Sequence, residues 1–266
     1  MPWAVDSSQH EQTDRRPANR RARLADPGVL TADGELGKAG MAIMMVAMNA
    51  SPREVFDRLL AALGPQHWWP GETPLEVMVG AVLTQNTAWR NVERAIENLR
   101  RSDLLDAHRL ATLADDELAE LIRPAGYFRV KTRRLKSLMR FVVDRFDGSL
   151  EEMFAQPMDE LRRELLGVHG IGPETADSIL LYAGGLPSFV VDTYTQRILG
   201  RHDWIPLDSD YHQTRDFLQD RLPEDVALYN EFHALFVAVG KDYCRKTRPR
   251  CAECPLRDLL PEDGPR

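Results

Sequence analysis

An all-α fold is what the sequence predicts, and three observations predict it. Apolar residues recur at helical spacing from Ser51 onward, no run alternates convincingly with a period of two, and short turn-forming stretches separate the periodic segments. About ten helices follow. "SPREVFDRLLAAL" opens the first, with Ser51 as N-cap and Pro52 in the first helical position. "LEVMVGAVLTQNTAW" is a strongly apolar helix that ends in a polar turn. "NVERAIENLRR", "DDELAELI", "VKTRRLKSLMRFVVDRF" and "MDELRRELL" come next. "ETADSILLYAGG", "TYTQRILGRH", "YHQTRDFLQDRL" and "VALYNEFHALFVAVGKDYC" complete the set.

Residues 1–49 differ from the rest. "SSQHEQTDRRPANRRARLADPG" is polar, charged and without apolar period, so this segment reads as a disordered extension. Its arginines (Arg15, Arg16, Arg20, Arg21, Arg23) suit a solvated tail or a DNA contact. Met41, Met44, Met45 and Met48 leave open a later start of translation. The chain of 266 residues can build one large domain or two modest ones with a real core. No stretch approaches a membrane span, and the N-terminal region lacks the apolar core of a secretory signal, which predicts a cytoplasmic protein. The net charge of -7 speaks mildly against nucleic acid as partner, but one basic face is enough to bind it. Cys244, Cys251 and Cys254 fall within eleven residues; three thiols cannot pair off, and their clustering suggests metal chemistry.

"LLGVHGIGPETADSIL" reads as a helix, a tight turn and a second helix. Gly170 and Gly172 allow a sharp turn and close approach by a partner, and the following helix N-terminus offers free N–H groups to a phosphate. A plain αα-corner has the same pattern. Asp192, in "FVVDTYTQRIL", follows Gly172 by twenty residues and precedes a helix, where aspartate commonly caps. "VLTQNT" (Val82 to Thr87) and "IRPAGYFRVKTRRLKSL" (Ile122 to Leu138) come earlier, "CRKTRPRCAEC" later.

In this order, these segments resemble the endonuclease III superfamily of helix-hairpin-helix DNA glycosylases, from about residue 51 to the C-terminus. The resemblance implies two all-α lobes with DNA and active site in the cleft between them. Residues 74–187 would form a six-helix lobe carrying the hairpin; 50–73 plus 188–266 would form the second lobe with the cysteine loop. It makes Asp192 the catalytic carboxylate, stabilising an oxocarbenium-like sugar and helping to activate the nucleophile. Bifunctional members carry a lysine where this chain has Glu174, and a carboxylate cannot form their imine. Lys131 and Lys136, on another helix, and Lys241, on a later one, do not occupy that position. Glu174 also suits the first turn of its helix as an acid. A monofunctional enzyme is therefore expected, with water as nucleophile and an abasic site as product.

Trp68, Trp69 and Pro70 before "LTQNT", with Trp89 after it, resemble the endonuclease-III-like 3-methyladenine DNA glycosylases. That resemblance has Trp68 and Trp89 sandwich the base while Trp69 and Pro70 line the pocket; an ordinary core role is the alternative for these rings. An aromatic clamp suits cationic N3- or N7-alkylated purines, which also leave readily. Gln85 resembles the residue that fills the space vacated by the flipped base, or else it holds its turn. By the same match Gly170, Ile171, Gly172 and Thr175 would bind DNA. Arg129, Lys131, Arg133, Arg134, Lys136 and Arg140 form a basic stretch that neutralises phosphates or simply faces solvent.

Iron–sulfur members use Cys-x6-Cys-x2-Cys-x5-Cys. Here Cys244, Cys251 and Cys254 match three positions and Leu260 occupies the fourth. A [4Fe–4S] cluster would then be absent, or labile with an oxygen ligand such as Asp258 or Glu262. The partner expected is double-stranded DNA with a damaged base, bound by a monomer associated with the nucleoid. Two other readings remain open: an endonuclease III paralogue with weak activity on oxidised pyrimidines, and a non-catalytic binder of damaged DNA.

Overall fold

The computed structural model describes residues 50–68 and 71–266; the expectations for residues 1–49, Trp69 and Pro70 lie outside the described residues. Those described form twelve α-helices joined by short 3-10 and π turns, with no strand. None of these helices is long and apolar enough to cross a membrane.

Helix α1 (Pro52–Leu63) starts as its sequence requires: Ser51 Oγ accepts from Glu54 N–H, and Glu54 Oε2 accepts from Ser51 N–H. Then follow α2 (Pro74–Leu83), α3 (Trp89–Arg101), α4 (Ala107–Thr112), α5 (Asp115–Leu121) and α6 (Phe128–Phe146). The rest are α7 (Leu150–Phe154), α8 (Met158–Gly167), α9 (Pro173–Ser178), α10 (Thr193–Arg201), α11 (Tyr211–Gln219) and α12 (Val226–Asp242). Helices α4 and α7 escape the periodicity reading because six and five residues span less than two turns. What nucleates them is a cap: Asp106 accepts from Arg109 N–H, and Ser149 accepts from Glu152 N–H.

The apolar faces gather into two main cores. One takes Met78, Leu83, Leu99, Leu110, Leu135 and Met139, from α2 to α6, and runs on to Leu180. The other takes Leu59 of α1 and Phe189, Ile198, Phe232 and Phe236 around α10 and α12. Leu180 belongs to the first core and Leu181 to the second, and both lie in the π turn Ile179–Ala183 that ends α9. A widened turn fans successive side chains apart, so it suits the point where the chain leaves one core for the other.

Asp177 ties the two together. Its carboxylate, 0% exposed, receives Arg162 of α8 in a fork at 2.7 and 2.9 Å. Ser188 Oγ–H and Tyr211 O–H donate to the same group, and Arg215 Nε approaches to 3.7 Å. Tyr211 OH also accepts from Val191 N–H at 3.4 Å, so the node reaches the residue before Asp192.

The cysteine loop after α12 is held by arginines of α10. Arg197 Nε donates to Cys244 O at 2.7 Å; Arg201 donates to Arg245 O at 2.7 Å and Lys246 O at 3.1 Å.

Three stability outcomes follow. Asp177→Ala strands two guanidinium groups in the interior and is expected to lower unfolding free energy by about 3–5 kcal/mol in urea titrations. Arg201→Ala, which removes charge-assisted bonds to the loop, is expected to cost roughly 1–3 kcal/mol. Cys251→Ser, at a half-exposed thiol, should stay within about 0.5 kcal/mol.

Candidate active site

Asp192 is the N-cap of α10. Its Oδ1 accepts from Thr195 N–H at 2.7 Å and from Thr195 Oγ1–H at 2.9 Å. Its Oδ2 lies 3.6 Å from Nε2 of His233, a buried residue of α12, and 12% of the Asp192 side chain is exposed. Burial pushes this carboxyl up, but His233 and Thr195 together outweigh burial and hold it below the usual carboxylate range. An ionised carboxylate results.

Glu174 occupies the first turn of α9. It keeps solvent-accessible surface, yet protein encloses it on most sides; that enclosure, then the Asp192 charge, pushes its carboxyl up to about 8. One carboxyl ionised beside one neutral is the split that acid and base roles use. The Tyr182 phenol sits in their field and is raised well above its ordinary value, by burial first and then by Asp192 and Glu174. Burial lowers the Lys241 ammonium, against the charges of Asp242 and Asp192, which places a lysine of α12 near the site.

Trp68 packs with Tyr194, Ala234 and Val237 and meets the His233 ring edge-on, centroids 5.7 Å apart. The structure thus brings Trp68, Asp192 and His233 together. Trp89 lies instead in the first core, where a Cβ on Gly80 would come within 3.1 Å of its ring. The two tryptophans fall in separate apolar clusters.

The hairpin is α8, a tight turn and α9. Gly170 has φ +85, and a Cβ there would meet Arg134 Cγ at 2.2 Å, so both backbone and space require glycine. Gly172 has an ordinary extended backbone with open space around it, so its use is close approach, not turn geometry. Gly172 caps α9 without a side chain, leaving first-turn N–H groups without intrahelical acceptors. The Ile171 and Thr175 side chains are buried, so any phosphate contact by them runs through the main chain. Gln85 Nε2 donates to Gly170 O at 3.2 Å and Thr175 Oγ1 at 3.0 Å, while Arg134 donates to its Oε1. The predicted wedge and the predicted phosphate site are therefore one hydrogen-bonded unit.

The basic stretch divides. Lys131 is 1% exposed and donates to Leu83 O and Ala125 O, each at 2.8 Å; burial and Arg134 pull its ammonium down to about 8. Lys136, also buried, donates to Leu113 O and pairs with Asp115. Neither is a phosphate ligand, because both are spent on satisfying buried carbonyls. Arg129, Arg133 and Arg140 remain exposed. Lys131 ties the C-terminal end of α2 to the turn before α6, where Tyr127 is 72% exposed with φ +46. Sequence reasoning missed this aromatic; a Gly-Tyr pair opening a helix was the available signal.

Cys244, Cys251 and Cys254 line one small cavity of about 10 Å3 with Arg201, His202, Leu260 and Pro265. Leu260, at the fourth position of the cysteine spacing, brings only hydrocarbon to this lining. Asp258 is exposed and turned to Arg257 and Arg58, and Glu262 is also exposed. Among the described residues no group of three or more His, Cys, Asp or Glu is set to hold a metal ion. The donor set does not fit a four-ligand cluster.

The HhH-GPD superfamily of base excision DNA repair proteins matches residues 79–224. A Methanocaldococcus jannaschii protein provisionally assigned as a DNA repair glycosylase is 46% identical over 77% of this chain and 94% of its own. The fold matches endonuclease III in a non-covalent DNA complex, with TM-score 0.68 and 24% identity over 79% of this chain and 94% of that one. It also matches the H. pylori 3-methyladenine DNA glycosylase bound to 1,N6-ethenoadenine, with TM-score 0.61 and 27% identity over 71% of this chain and 97% of that one. A superfamily match across more than half the sequence, with a relative this similar along nearly its full length, means that the chain belongs to the HhH-GPD superfamily, among the DNA glycosylases of the endonuclease III type.

Proposed function

We propose that this DNA glycosylase is monofunctional and hydrolyses the N-glycosidic bond of a flipped alkylated purine, of the 3-methyladenine type, in duplex DNA. One observation carries the reading: beside the N-cap Asp192, the first turn of α9 holds a carboxyl, Glu174, where an imine-forming enzyme needs an amine. Support for the substrate comes from Trp68 in the wall beside Asp192 and from the similarity to the H. pylori enzyme.

An N3- or N7-alkylated purine is cationic. Its C1′–N bond breaks with the electron pair going to the base, which becomes neutral and needs little acid help. Positive charge passes to the sugar, where Asp192 stabilises it. Water then adds to C1′ and loses its proton to Asp192 or solvent, leaving an abasic site. Trp68, with Trp69 and Pro70, would form the pocket that stacks the cation, and Trp89 would join it only if its ring turned out of the first core. The main chain of Gly170, Ile171, Gly172 and Thr175 would hold a phosphate, while Gln85 and Tyr127 would support the opened duplex. The enzyme would act as a cytoplasmic, nucleoid-associated monomer. No step needs an iron–sulfur cluster.

The test is base release from methylated DNA, read by chromatography, with borohydride trapping alongside. Release of 3-methyladenine or 7-methylguanine without a trapped adduct is expected. Asp192→Asn should slow release by about 10²–10³-fold while DNA binding persists. Glu174→Lys, which installs an amine beside Asp192, should give a borohydride-trapped adduct. An adduct with the unaltered protein would overturn the monofunctional reading and direct attention to Lys241. Release of oxidised pyrimidines alone would overturn the substrate.

Glu174 also sets a pH dependence. Above about 8 it ionises and puts a second negative charge in a site that must accept DNA. Affinity for DNA, measured by fluorescence anisotropy at constant salt, should fall roughly severalfold as pH rises through that value. Glu174→Gln should remove the fall.

A further inference from the structure

His233 is 2% exposed and stands beside Asp192, yet the hydrolysis described above leaves it without a task. Three contacts fix its ring. Nδ1 is hydrogen-bonded to Tyr182 OH. The Trp68 indole meets the ring at 71°, and the Tyr182 ring lies tilted with centroids 6.0 Å apart. Nε2 is then left 3.6 Å from Asp192 Oδ2, with no partner at hydrogen-bond distance among the described residues.

The proton positions follow from the neighbours. Tyr182 keeps its phenolic proton, so its O–H can donate to Nδ1. The imidazole proton then sits on Nε2, facing a carboxylate. The opposite tautomer would aim an Nε2 lone pair at an anion. If the ring is doubly protonated, Nε2 still carries a proton. A spacing of 3.6 Å is longer than a formed hydrogen bond, and contacts of this kind tighten when a site fills. Thr195 already holds Oδ1 with two donors. Among the described residues the other oxygen has His233 to orient it, and that oxygen would decide how the plane of the carboxylate meets the sugar.

We propose that His233 is a positioning residue for Asp192: locked by Tyr182 and Trp68, it presents Nε2–H to Oδ2 and fixes the carboxylate in the plane that serves the cationic sugar. This rests on Asp192 being the catalytic carboxylate. The charged and titratable groups facing this pair are Thr195-capped Asp192 itself, Tyr182 of the π turn, Glu174 of α9 and Lys241 of α12.

Two readouts test it, one of them independent of activity. Carboxyl-labelled aspartate allows the Asp192 titration to be followed by NMR in the intact chain without DNA. Single-turnover base release from methylated DNA gives the second. His233 is one of the groups that lower the Asp192 pKa, so His233→Leu should raise it. The acid limb of the rate profile should move to higher pH in step. Release should slow on the order of ten- to a hundredfold, with DNA affinity unchanged. His233→Gln, whose amide can place an N–H near the same spot, should restore the titration and most of the rate. An unchanged Asp192 titration in folded His233→Leu overturns the proposal, as does a Gln variant that behaves like the Leu variant. Should His233→Leu fail to fold, His233→Phe, which keeps a ring and loses both nitrogens, decides. A raised Asp192 pKa there upholds the contact, and an unchanged one overturns it. If the unaltered protein releases no base while the titrations shift as stated, the glycosylase reading of Asp192 fails and the contact with His233 stands.

Discussion

The buried carboxylate of Asp177 constrains everything around it. A charge taken out of water costs several kcal/mol unless paired and hydrogen-bonded. Asp177 can be satisfied only where Arg162 of α8, Ser188 of the connector and Tyr211 and Arg215 of α11 converge on it. That requirement fixes the hairpin against the second core. Through Tyr211 it also holds Val191, and Val191 precedes the capping aspartate that the proposed chemistry depends on. A residue that never meets DNA thereby sets where Asp192 can stand.

The same economy governs the site. Asp192 and Glu174 stand within each other's field, and their like charges raise the cost of ionising both. The structure resolves this unequally. Asp192 has an N-cap geometry and a histidine that favour its anion, whereas Glu174 has enclosure and no comparable donors. With the aspartate ionised, the glutamate keeps its proton. In the proposed chemistry Asp192 would then meet the cationic sugar with little opposition from a second anion to the phosphates.

Much of this was legible in the sequence, because its signals are local. Ser51 and Pro52 announce α1, and Asp192 announces the start of α10. Gly170 announces a turn that its φ and the Arg134 side chain beneath it require. What was not legible depends on burial and on contacts distant in sequence. Lys131 and Lys136 look like phosphate ligands in a basic run, and only the packing of α6 reveals that carbonyls consume them. Trp68 and Trp89 look like a pair, and only the two cores separate them. His233 sits in an apolar helix with nothing nearby in sequence to mark it; its partners are 41 and 51 residues away in the chain. The thiol spacing, read alone, suggests a metal loop. Leu260 in the same cavity and the arginines on the loop carbonyls suggest instead a loop that protein groups hold.

Gln85 connects these constraints to what DNA would have to do. At rest its amide is used completely: Nε2 on the hairpin and Oε1 on Arg134. A side chain held by three hydrogen bonds does not leave freely, since each is worth about 0.5–1.5 kcal/mol net. Entry into a duplex would cost those bonds and return others on the base left behind. The bonds end on Gly170 and Thr175, two of the residues whose main chain would hold a phosphate in the proposed complex. A phosphate arriving there would disturb the acceptors that keep Gln85 folded back. Backbone capture and opening of the base stack would then be coupled through one hairpin, with binding energy from the first helping to meet the cost of the second. Arg134, packed under Gly170 and bonded to Gln85, is the rigid support that makes such coupling mechanical.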